Sequence, residues 1–414
     1  MEQKNNSKLS LATLFGVVFL DMLGVGVVIP ILPLVLLEPE FLAIVHSEVM
    51  RNFLLGLIIA AYPFAQFFGS PIFGGLSDRF GRRKILIFSL AGSFLGYILF
   101  ALGIMFHSIS ILIISRLVDG FTGGSVSVAT SAIADLSDRK SKTKNFGLIG
   151  MAFGLGFILG PFIGGKLADP KFVPWFNNTT PFFFTALLVL INIFFVVFKF
   201  KETLLQRRHS KINPLDGFFK IKKAIAIEEL RIIFLTSFLV FFGWAFYTGF
   251  FQIYLYDKFH YGPSDVGMQF AYTGIWIAIT QGLILRFISS KVKPQNILKV
   301  SIIGTSIVLM SILLIQKPIL FLVSIPFMAM FFGMINPAIT TLLSNSVSAQ
   351  SQGEIMGISN AVIALSNIIP PILAGFSLDM GTSYPIIISS SVMLVAGILF
   401  VLLYKHKEVV DLEI

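Results

Sequence analysis

The chain has 414 residues, of which 56% are hydrophobic and only 13% are charged. Soluble proteins carry about 25% charged residues, so this composition excludes a soluble multidomain enzyme and a disordered chain. The absence of cysteine excludes a disulfide-rich secreted scaffold, a thiolate nucleophile and a cysteine metal site. A net charge of +10 would fit a nucleic-acid-binding protein, but in a membrane protein it more often reports basic cytoplasmic loops.

Twelve mostly apolar runs are long enough to cross the hydrocarbon core of a bilayer, which takes about 20 helical residues. They predict membrane-spanning helices over residues 9–37, 52–76, 84–106, 109–133, 145–167, 181–199, 231–256, 265–289, 296–315, 318–342, 354–376 and 384–404. The first run is too long for a cleavable signal peptide, and no small-residue cleavage site follows it. The sequence therefore predicts an all-α membrane protein with twelve transmembrane helices.

The basic residues are distributed unevenly between the two sides of these spans. The termini and the loops after spans 2, 4, 6 and 8 hold 25 of the 31 Lys and Arg residues, and the opposite side holds five. The remaining one, Arg116, lies inside a span. The positive-inside rule therefore predicts that both termini are cytoplasmic. The basic excess is explained by topology, so we expect no nucleic-acid partner.

A polar stretch over residues 201–230 separates the spans into two groups of six. It predicts a cytoplasmic linker between a bundle at 1–200 and a bundle at 231–414; a lipid-binding segment is the alternative, because cytoplasmic leaflets are anionic. Short sequence matches recur in both groups. Gly75-Leu76 and Arg79-Phe80 of the first group correspond to Gly282-Leu283 and Arg286-Phe287 of the second. Gly147, Pro161 and Gly165 correspond in the same way to Gly357, Pro371 and Gly375. This duplication predicts two pseudo-symmetric six-helix bundles that work by alternating access around a substrate site between them.

The loop after span 2 combines glycine with a dense group of charges. It reads GGLSDRFGRRK over residues 74–84 and holds the candidate gate residues Gly75, Asp78, Arg79, Gly81, Arg82 and Arg83. Glycines allow close approach of a turn to its neighbours, and carboxylate–guanidinium pairs form charge-assisted hydrogen bonds that can break and reform. We therefore predict a cytoplasmic latch here; a plain basic loop that only sets topology is the alternative.

This loop closely resembles the signature loop of the major facilitator superfamily. Further resemblance lies in DMLGVG at 21–26, in RLVDG at 116–120 and in a fifth span typical of antiporters of this superfamily, with Gly156, Gly160, Pro161, Gly164 and Gly165. The whole chain is similar to the twelve-helix drug:proton antiporter branch, and most of all to tetracycline exporters and their relatives. The resemblance implies two six-helix bundles around a cavity and export driven by proton entry.

The sequence departs from tetracycline exporters in two respects. An acidic residue is expected in the third span just before a tyrosine, but Gly96 precedes Tyr97 here. The carboxyl-terminal half also has no histidine or acid deep in a span. Both departures argue against tetracycline and against metal-chelated substrates.

Three ionisable residues lie at membrane depth, where such groups are rare and costly. At 1.5 Å per residue, Asp21 lies ~18 Å from the inner face, while Arg116 and Asp119 lie ~11 Å and ~15 Å from the outer end of span 4. Burial favours a neutral carboxyl group and a nearby guanidinium favours the charged form, so such a carboxylate can cycle a proton. We predict that Asp21 or Asp119 carries the proton and that Arg116 is the fixed charge; a static Arg116–Asp119 pair that fixes packing is the alternative.

The carboxyl-terminal half offers aromatic and amide side chains in place of charges. Tyr247, Gln252 and Asn336 are candidates for the substrate cavity, because ligand sites are mostly apolar with a few polar groups. Packing or interfacial anchoring is the alternative for each.

Together these features favour a proton-coupled exporter of small amphipathic compounds or drugs in the bacterial inner membrane. The alternative is an importer or a metabolite or siderophore carrier of the same fold. An enzyme is disfavoured because no nucleophile–base pair or metal cluster is visible, and a channel because polar groups are sparse. The expected partners are a small-molecule substrate, protons and the lipid bilayer; we expect a monomer with no cofactor and no metal.

Overall fold

The computed structural model describes residues 2–137, 142–204, 213–228, 230–348 and 351–405. Within these residues, twelve helical stretches are long and apolar enough to cross a membrane, which confirms the predicted all-α fold with twelve spans. Nine spans are single helices: α1 (Glu2–Val35), α3 (Glu48–Phe80), α4 (Arg82–Met105), α7 (Lys142–Leu167), α8 (Thr180–Phe198), α10 (Arg231–Phe259), α13 (Pro294–Ile312), α14 (Pro318–Asn345) and α17 (Tyr384–Leu403).

The other three spans are interrupted helices. The fourth span consists of α5 (Ile109–Thr122) and α6 (Ser125–Asp135). The eighth span consists of α11 (Pro263–Ile279), a π-helical turn (Thr280–Ile284) and α12 (Leu285–Ser289). The eleventh span consists of α15 (Gln352–Ser366), α16 (Ile369–Ser377) and a 3-10 turn (Leu378–Met380). Two adjacent glycines lie at the break in the fourth span, and two adjacent prolines, which lack an N–H donor, begin α16. Hydropathy alone gives each of these spans as one continuous run.

Two short helices lie outside the spans. They are α2 (Pro39–Ile44) and α9 (Asp216–Ala226). Part of the polar stretch predicted as a linker loop over residues 201–230 is therefore helical, while residues 205–212 and 229 of that stretch lie outside the described residues.

The chain forms two compact units. Unit 1 comprises Met1–His46, Leu57–Leu215 and Tyr261–Ala271, and unit 2 comprises Ser47–Gly56, Asp216–His260 and Tyr272–Ile414. In unit 1, α1 packs along α7 and α4 packs against α5 and α8; in unit 2, α10 packs against α17, and α13 packs against α14 and α17. Two helices, α3 and α11, each contribute a segment to both units, so the units do not follow chain order strictly.

The glycines of the predicted antiporter helix lie where α7 meets α1. A Cβ atom on Gly160 would lie 2.5 Å from the carbonyl oxygen of Leu23, and one on Gly156 would lie 2.5 Å from the Cβ atom of Met22. A Cβ atom on Gly164 would likewise lie 2.9 Å from the carbonyl oxygen of Val27. Small residues let membrane helices pack at close range, so this stripe of glycines sets the position of α1.

The remaining residues of this helix continue the same pattern. Pro161 packs on Gly26 of α1, where a Cβ atom on the glycine would lie 2.7 Å from the proline ring. Gly165 faces the start of α11, and a Cβ atom there would lie 2.3 Å from the carbonyl oxygen of Pro263. Both contacts lie within unit 1.

Gly160→Ala is expected to destabilise unit 1, because the added methyl group must push the backbone of α1 away. Overpacking of this kind costs about 1–3 kcal/mol, which a thermal unfolding measurement on the purified protein would detect. Gly154→Ala is the matched control, because a Cβ atom on Gly154 meets nothing within 4 Å. Equal melting temperatures for the two variants would contradict the close contact between α1 and α7.

Candidate functional site

The three ionisable residues predicted at membrane depth lie together in unit 1. Asp21 on α1 and Arg116 and Asp119 on α5 are all buried, with exposed fractions of 6%, 5% and 2%. The Arg116 Nη1 atom lies 3.4 Å from the Asp119 Oδ2 atom. Charges on Arg116 and Asp119 also act electrostatically on Asp21. The structure thus brings two carboxyl groups and one guanidinium into a single buried cluster, named here the acidic cluster.

Tyr62 on α3 links the members of the acidic cluster, although the sequence analysis did not single it out. The charge of the Asp21 carboxyl group acts electrostatically on its hydroxyl group, which accepts a hydrogen bond from Gln66 Nε2 at 3.2 Å. Its ring lies under the Arg116 guanidinium, with the Cζ atom 4.5 Å from the ring centroid. Tyr62 therefore contacts the Arg116 guanidinium of α5 and interacts electrostatically with the Asp21 carboxyl group of α1.

Two glycines make room for the acidic cluster. A Cβ atom on Gly96 would lie 2.7 Å from the Cβ atom of Asp119, and one on Gly24 would lie 1.7 Å from the Tyr97 hydroxyl oxygen. The missing acid in the third span thus has a steric explanation, because Asp119 occupies the space that a side chain at position 96 would need.

Several polar atoms of the acidic cluster have unused hydrogen-bonding capacity. Within the described part of the chain, Asp21 Oδ2, Asp119 Oδ1, Arg116 Nε and the Tyr97 hydroxyl are buried without a hydrogen-bond partner. Buried polar atoms are almost always paired. A group of unpaired atoms beside two carboxyl groups is therefore suited to accept a proton or a polar ligand.

The predicted latch forms an ion-pair network between α3, α4 and α6. Arg82 Nη1 lies 2.7 Å from Asp78 Oδ1 and donates to Ser77 Oγ at 2.6 Å, while Arg82 Nε donates to Asp135 Oδ2 at 3.1 Å. Arg82 is buried although it is the first residue of the third span. The pairing of Asp78 with an arginine agrees with the predicted latch, whereas the contact with Asp135 was not predicted, because Asp135 lies 53 residues further along the chain than Arg82.

Glu202 organises the start of α4. It accepts hydrogen bonds from the backbone N–H groups of Arg82 and Arg83, at 2.9 Å and 3.1 Å. Gly81 precedes them with a φ of 102°, a conformation that disfavours other residues, and the Glu202 carboxylate lies against it. A carboxylate at a helix amino terminus satisfies free N–H donors and complements the helix dipole.

The other predicted latch residues lie around this network. Gly75 and Arg79 lie in the last turns of α3, and the Arg79 Cζ atom lies 5.5 Å from the ring centroid of Phe80. Arg83 donates to the backbone carbonyl of Val197 at the end of α8.

Glu202→Ala is expected to lower the stability of unit 1, because it leaves two backbone donors at the start of α4 without their acceptor. Loss of a capping acceptor costs about 1 kcal/mol, which would lower the melting temperature of the purified protein. Lys201→Ala is the control, because Lys201 is the exposed neighbour. A similar small effect from both substitutions would show that Glu202 does not hold the latch.

The three predicted cavity residues in unit 2 have different surroundings. Tyr247 and Gln252 on α10 are both 1% exposed, whereas Asn336 on α14 is exposed. Tyr247 packs between Trp244 and Phe251, with ring centroids 5.0 Å and 4.3 Å away. The first two residues are thus part of the packed aromatic core of unit 2 in this conformation.

Trp244, which is not one of the three predicted cavity residues, extends this aromatic core. Its ring stacks on Phe332 of α14 with centroids 3.5 Å apart. A flat stacked pair of this kind offers an apolar surface to aromatic compounds.

One further charged group lies beyond the end of α1. Glu38, Glu40 and His107 place their ligand atoms within 4.8 Å of one another, which is the spacing of a metal-binding group. Burial, joined by repulsion from Glu40, raises the pKa of Glu38, while the hydrogen bond from Asn178 and the charge of His107 oppose that shift. The sequence does not reveal this group, because His107 lies far from Glu38 and Glu40 along the chain.

Comparison with known proteins identifies the family. The family model described as Major Facilitator Superfamily matches residues 14–371, with a second match over residues 233–412. The chain belongs to the major facilitator superfamily. It is a multi-pass integral membrane transporter and not an enzyme, as the sequence predicted.

Two relatives resemble the chain over almost its full length. Multidrug resistance protein 2 of Bacillus subtilis (strain 168) is 28% identical over 98% of this chain and 97% of the relative. Quinolone resistance protein NorA of Staphylococcus aureus (strain COL) is 29% identical over 94% of this chain and 95% of the relative. The predicted resemblance to drug exporters of this superfamily is thereby confirmed.

Solved structures share the fold at lower identity. The human organic anion transporter MFSD10 (TETRAN) superposes with a TM-score of 0.71 at 22% identity, over 95% of this chain and 99% of that one. A D-xylose-proton symporter superposes with a TM-score of 0.73 at 18% identity, over 95% of this chain and 96% of that one.

Proposed function

We propose that the chain couples proton entry to the export of small amphipathic compounds by alternating access. The observation that supports this most strongly is the acidic cluster of Asp21, Arg116 and Asp119. One guanidinium can balance one carboxylate, and a second ionised carboxylate in an apolar interior would be costly. The cluster is therefore suited to hold a proton and to release it when the site opens to the other side.

Each member of the cluster has a distinct role in this proposal. Asp21 carries the proton, because it lies on α1 while the guanidinium is closest to Asp119. Arg116 is the fixed charge, since it does not give up its proton. Asp119 holds Arg116 in place and is the second candidate for the proton. Tyr62 positions Arg116 through its ring.

The latch around Arg82 regulates access from the proposed cytoplasmic side. Its contacts to Asp78 and Asp135 join three helices of unit 1. Asp78 and Asp135 are partly exposed to water although Arg82 is buried, so water can replace Arg82 at these carboxylates and the contacts can break and reform during a transport cycle.

The proposed substrates are amphipathic compounds of drug size. The two relatives carry the names of multidrug and quinolone resistance proteins. The aromatic core around Trp244 supports recognition of planar apolar compounds, and Tyr247, Gln252 and Asn336 remain candidates for substrate selectivity. A conformational change that separates α10 from α14 would expose the first two.

The direction of transport needs a direct test. The alternative is an importer or a metabolite or siderophore carrier, and the shared fold with a D-xylose-proton symporter shows that the fold does not fix direction. Inside-out vesicles with an imposed pH gradient should accumulate lipophilic cations or a quinolone. Accumulation of sugars, siderophores or metabolites instead would support the alternative.

We further propose that the chain is a monomer in the bacterial plasma membrane and that both of its termini lie in the cytoplasm. The 25 basic residues on one side of the spans support this orientation. The chain has no cysteine, so one introduced cysteine is a unique label. Asn177→Cys is expected to react with an impermeant maleimide in intact cells, and Ser210→Cys only after permeabilisation. Equal labelling of both in intact cells would contradict this orientation.

A further inference from the structure

The short helix α9 presents its large apolar side chains away from the protein. Leu215, just before the helix, and Phe218, Phe219 and Ile225 within it are between 47% and 61% exposed. The residues that face the protein are small: Gly217 and Ala224 are buried, and α9 packs against α15. A helix on the surface of a soluble protein shows the opposite arrangement, with its apolar stripe turned inward.

The exposed residues form one continuous surface. Leu215, Phe218, Lys222 and Ile225 follow one another at spacings of three and four residues, which places them on one side of the helix. Lys222 lies in the middle of this surface and is itself exposed. The exposed surface therefore combines apolar side chains with a positive charge, the composition typical of helices that lie in a membrane interface.

The position of α9 is fixed at the end of a membrane span. It ends at Ala226, five residues before α10 begins at Arg231. The Arg231 Nε atom donates to the carbonyl oxygen of Ile225 at 2.7 Å, which ties the last turn of α9 to the first residue of that span. The helix is too short and too charged to cross the bilayer itself, so it lies beside the boundary between hydrocarbon and water.

The charges of α9 hold it on the protein and favour an anionic surface. Lys223 pairs with Glu354 of α15, and Lys220 lies 2.8 Å from Asp216 within the helix. With Lys220 and Lys223 in these ion pairs, the exposed Lys222 supplies the positive charge of the outer surface. Basic residues near a bilayer are attracted to anionic headgroups.

We propose that α9 is an interfacial helix that docks on an anionic lipid surface. Phe218, Phe219 and Ile225 insert between the headgroups, and Lys222 binds the lipid phosphates. In the proposed orientation this surface is the cytoplasmic leaflet. The depth of a label does not depend on orientation or transport, so failure of this inference would leave the proposed function unaffected.

Nitroxide labels on single cysteines test the proposal in the full-length protein. Phe219→Cys and Ile225→Cys report on the docking surface, and Ser290→Cys, exposed in a turn between two spans, is the aqueous control. The protein is reconstituted into vesicles of phosphatidylcholine mixed with phosphatidylglycerol. Collisions with oxygen, relative to collisions with a water-soluble nickel complex, should be several-fold more frequent at positions 219 and 225 than at position 290.

Two further arms separate the other outcomes. Lys222→Glu, combined with Phe219→Cys, should lower the oxygen-to-nickel ratio in vesicles with phosphatidylglycerol and change it little in pure phosphatidylcholine. Equal ratios at positions 219, 225 and 290 would overturn docking. Labels shielded from both reagents would indicate a protein partner or a second copy and also overturn it. A ratio that is independent of phosphatidylglycerol would overturn the recognition of anionic lipid.

Discussion

Asp21→Asn is expected to reduce substrate accumulation driven by a pH gradient to the level of empty vesicles. The amide keeps the size of the side chain but cannot take up and release a proton. Exchange of labelled for unlabelled substrate without a gradient should survive, because exchange needs conformational cycling and no net proton movement. The measurement is a paired assay of accumulation and exchange on the same proteoliposomes.

Asp119→Asn is the matched control for this experiment. It should have the milder effect if Asp119 only positions Arg116, at 3.4 Å from Nη1 to Oδ2. If Asp21→Asn still accumulates substrate and Asp119→Asn does not, the proton is carried on α5. If both variants accumulate substrate, the acidic cluster does not couple protons. Melting temperatures measured alongside separate lost coupling from lost folding.

Arg116→Lys is expected to abolish coupled transport although it keeps the positive charge. The ammonium group cannot reproduce both the contact with Asp119 and the stacking on the Tyr62 ring, where the guanidinium carbon lies 4.5 Å from the centroid. The measurement is accumulation driven by a pH gradient, normalised to the amount of folded protein.

Arg116→Ala tests the same residue for its structural role. Removing one partner of a buried ion pair costs about 3–5 kcal/mol, and Asp119→Asn in the same chain should recover part of that loss by removing the unbalanced carboxylate. The double variant is expected to regain stability without regaining transport. Full recovery of transport would mean that the pair only fixes helix packing.

Most of the fold follows from the sequence because charged residues are nearly absent from the spans. The ends of the spans do not follow as well: span 2 is predicted over residues 52–76, but α3 continues to Phe80. Ser77, Asp78 and Arg79 are polar or charged and still helical, and hydropathy detects only the part of a helix that suits hydrocarbon. The break in the fourth span is invisible for the same reason, because glycine does not lower hydropathy much.

The acidic cluster follows from the sequence only in part. Asp21, Arg116 and Asp119 are recognisable because ionisable residues are rare at membrane depth. Tyr62 is not, because a tyrosine in an apolar helix is ordinary and its contacts to α1 and α5 depend on tertiary packing. Glu202 could not be found either, since it meets Arg82 across 120 residues of chain. The depth of a residue in a span can be read from the local sequence, whereas these contacts depend on how distant helices pack together.

The direction of proton flux tests the central proposal most directly. Purified protein is reconstituted with a pH-sensitive dye inside the vesicles, and a gradient of a lipophilic cation or a quinolone is imposed without a pH gradient. The proposal predicts proton movement opposite to the substrate in the unchanged chain and none in the Asp21→Asn variant. Proton movement in the same direction as the substrate, or none in the unchanged chain, would contradict it.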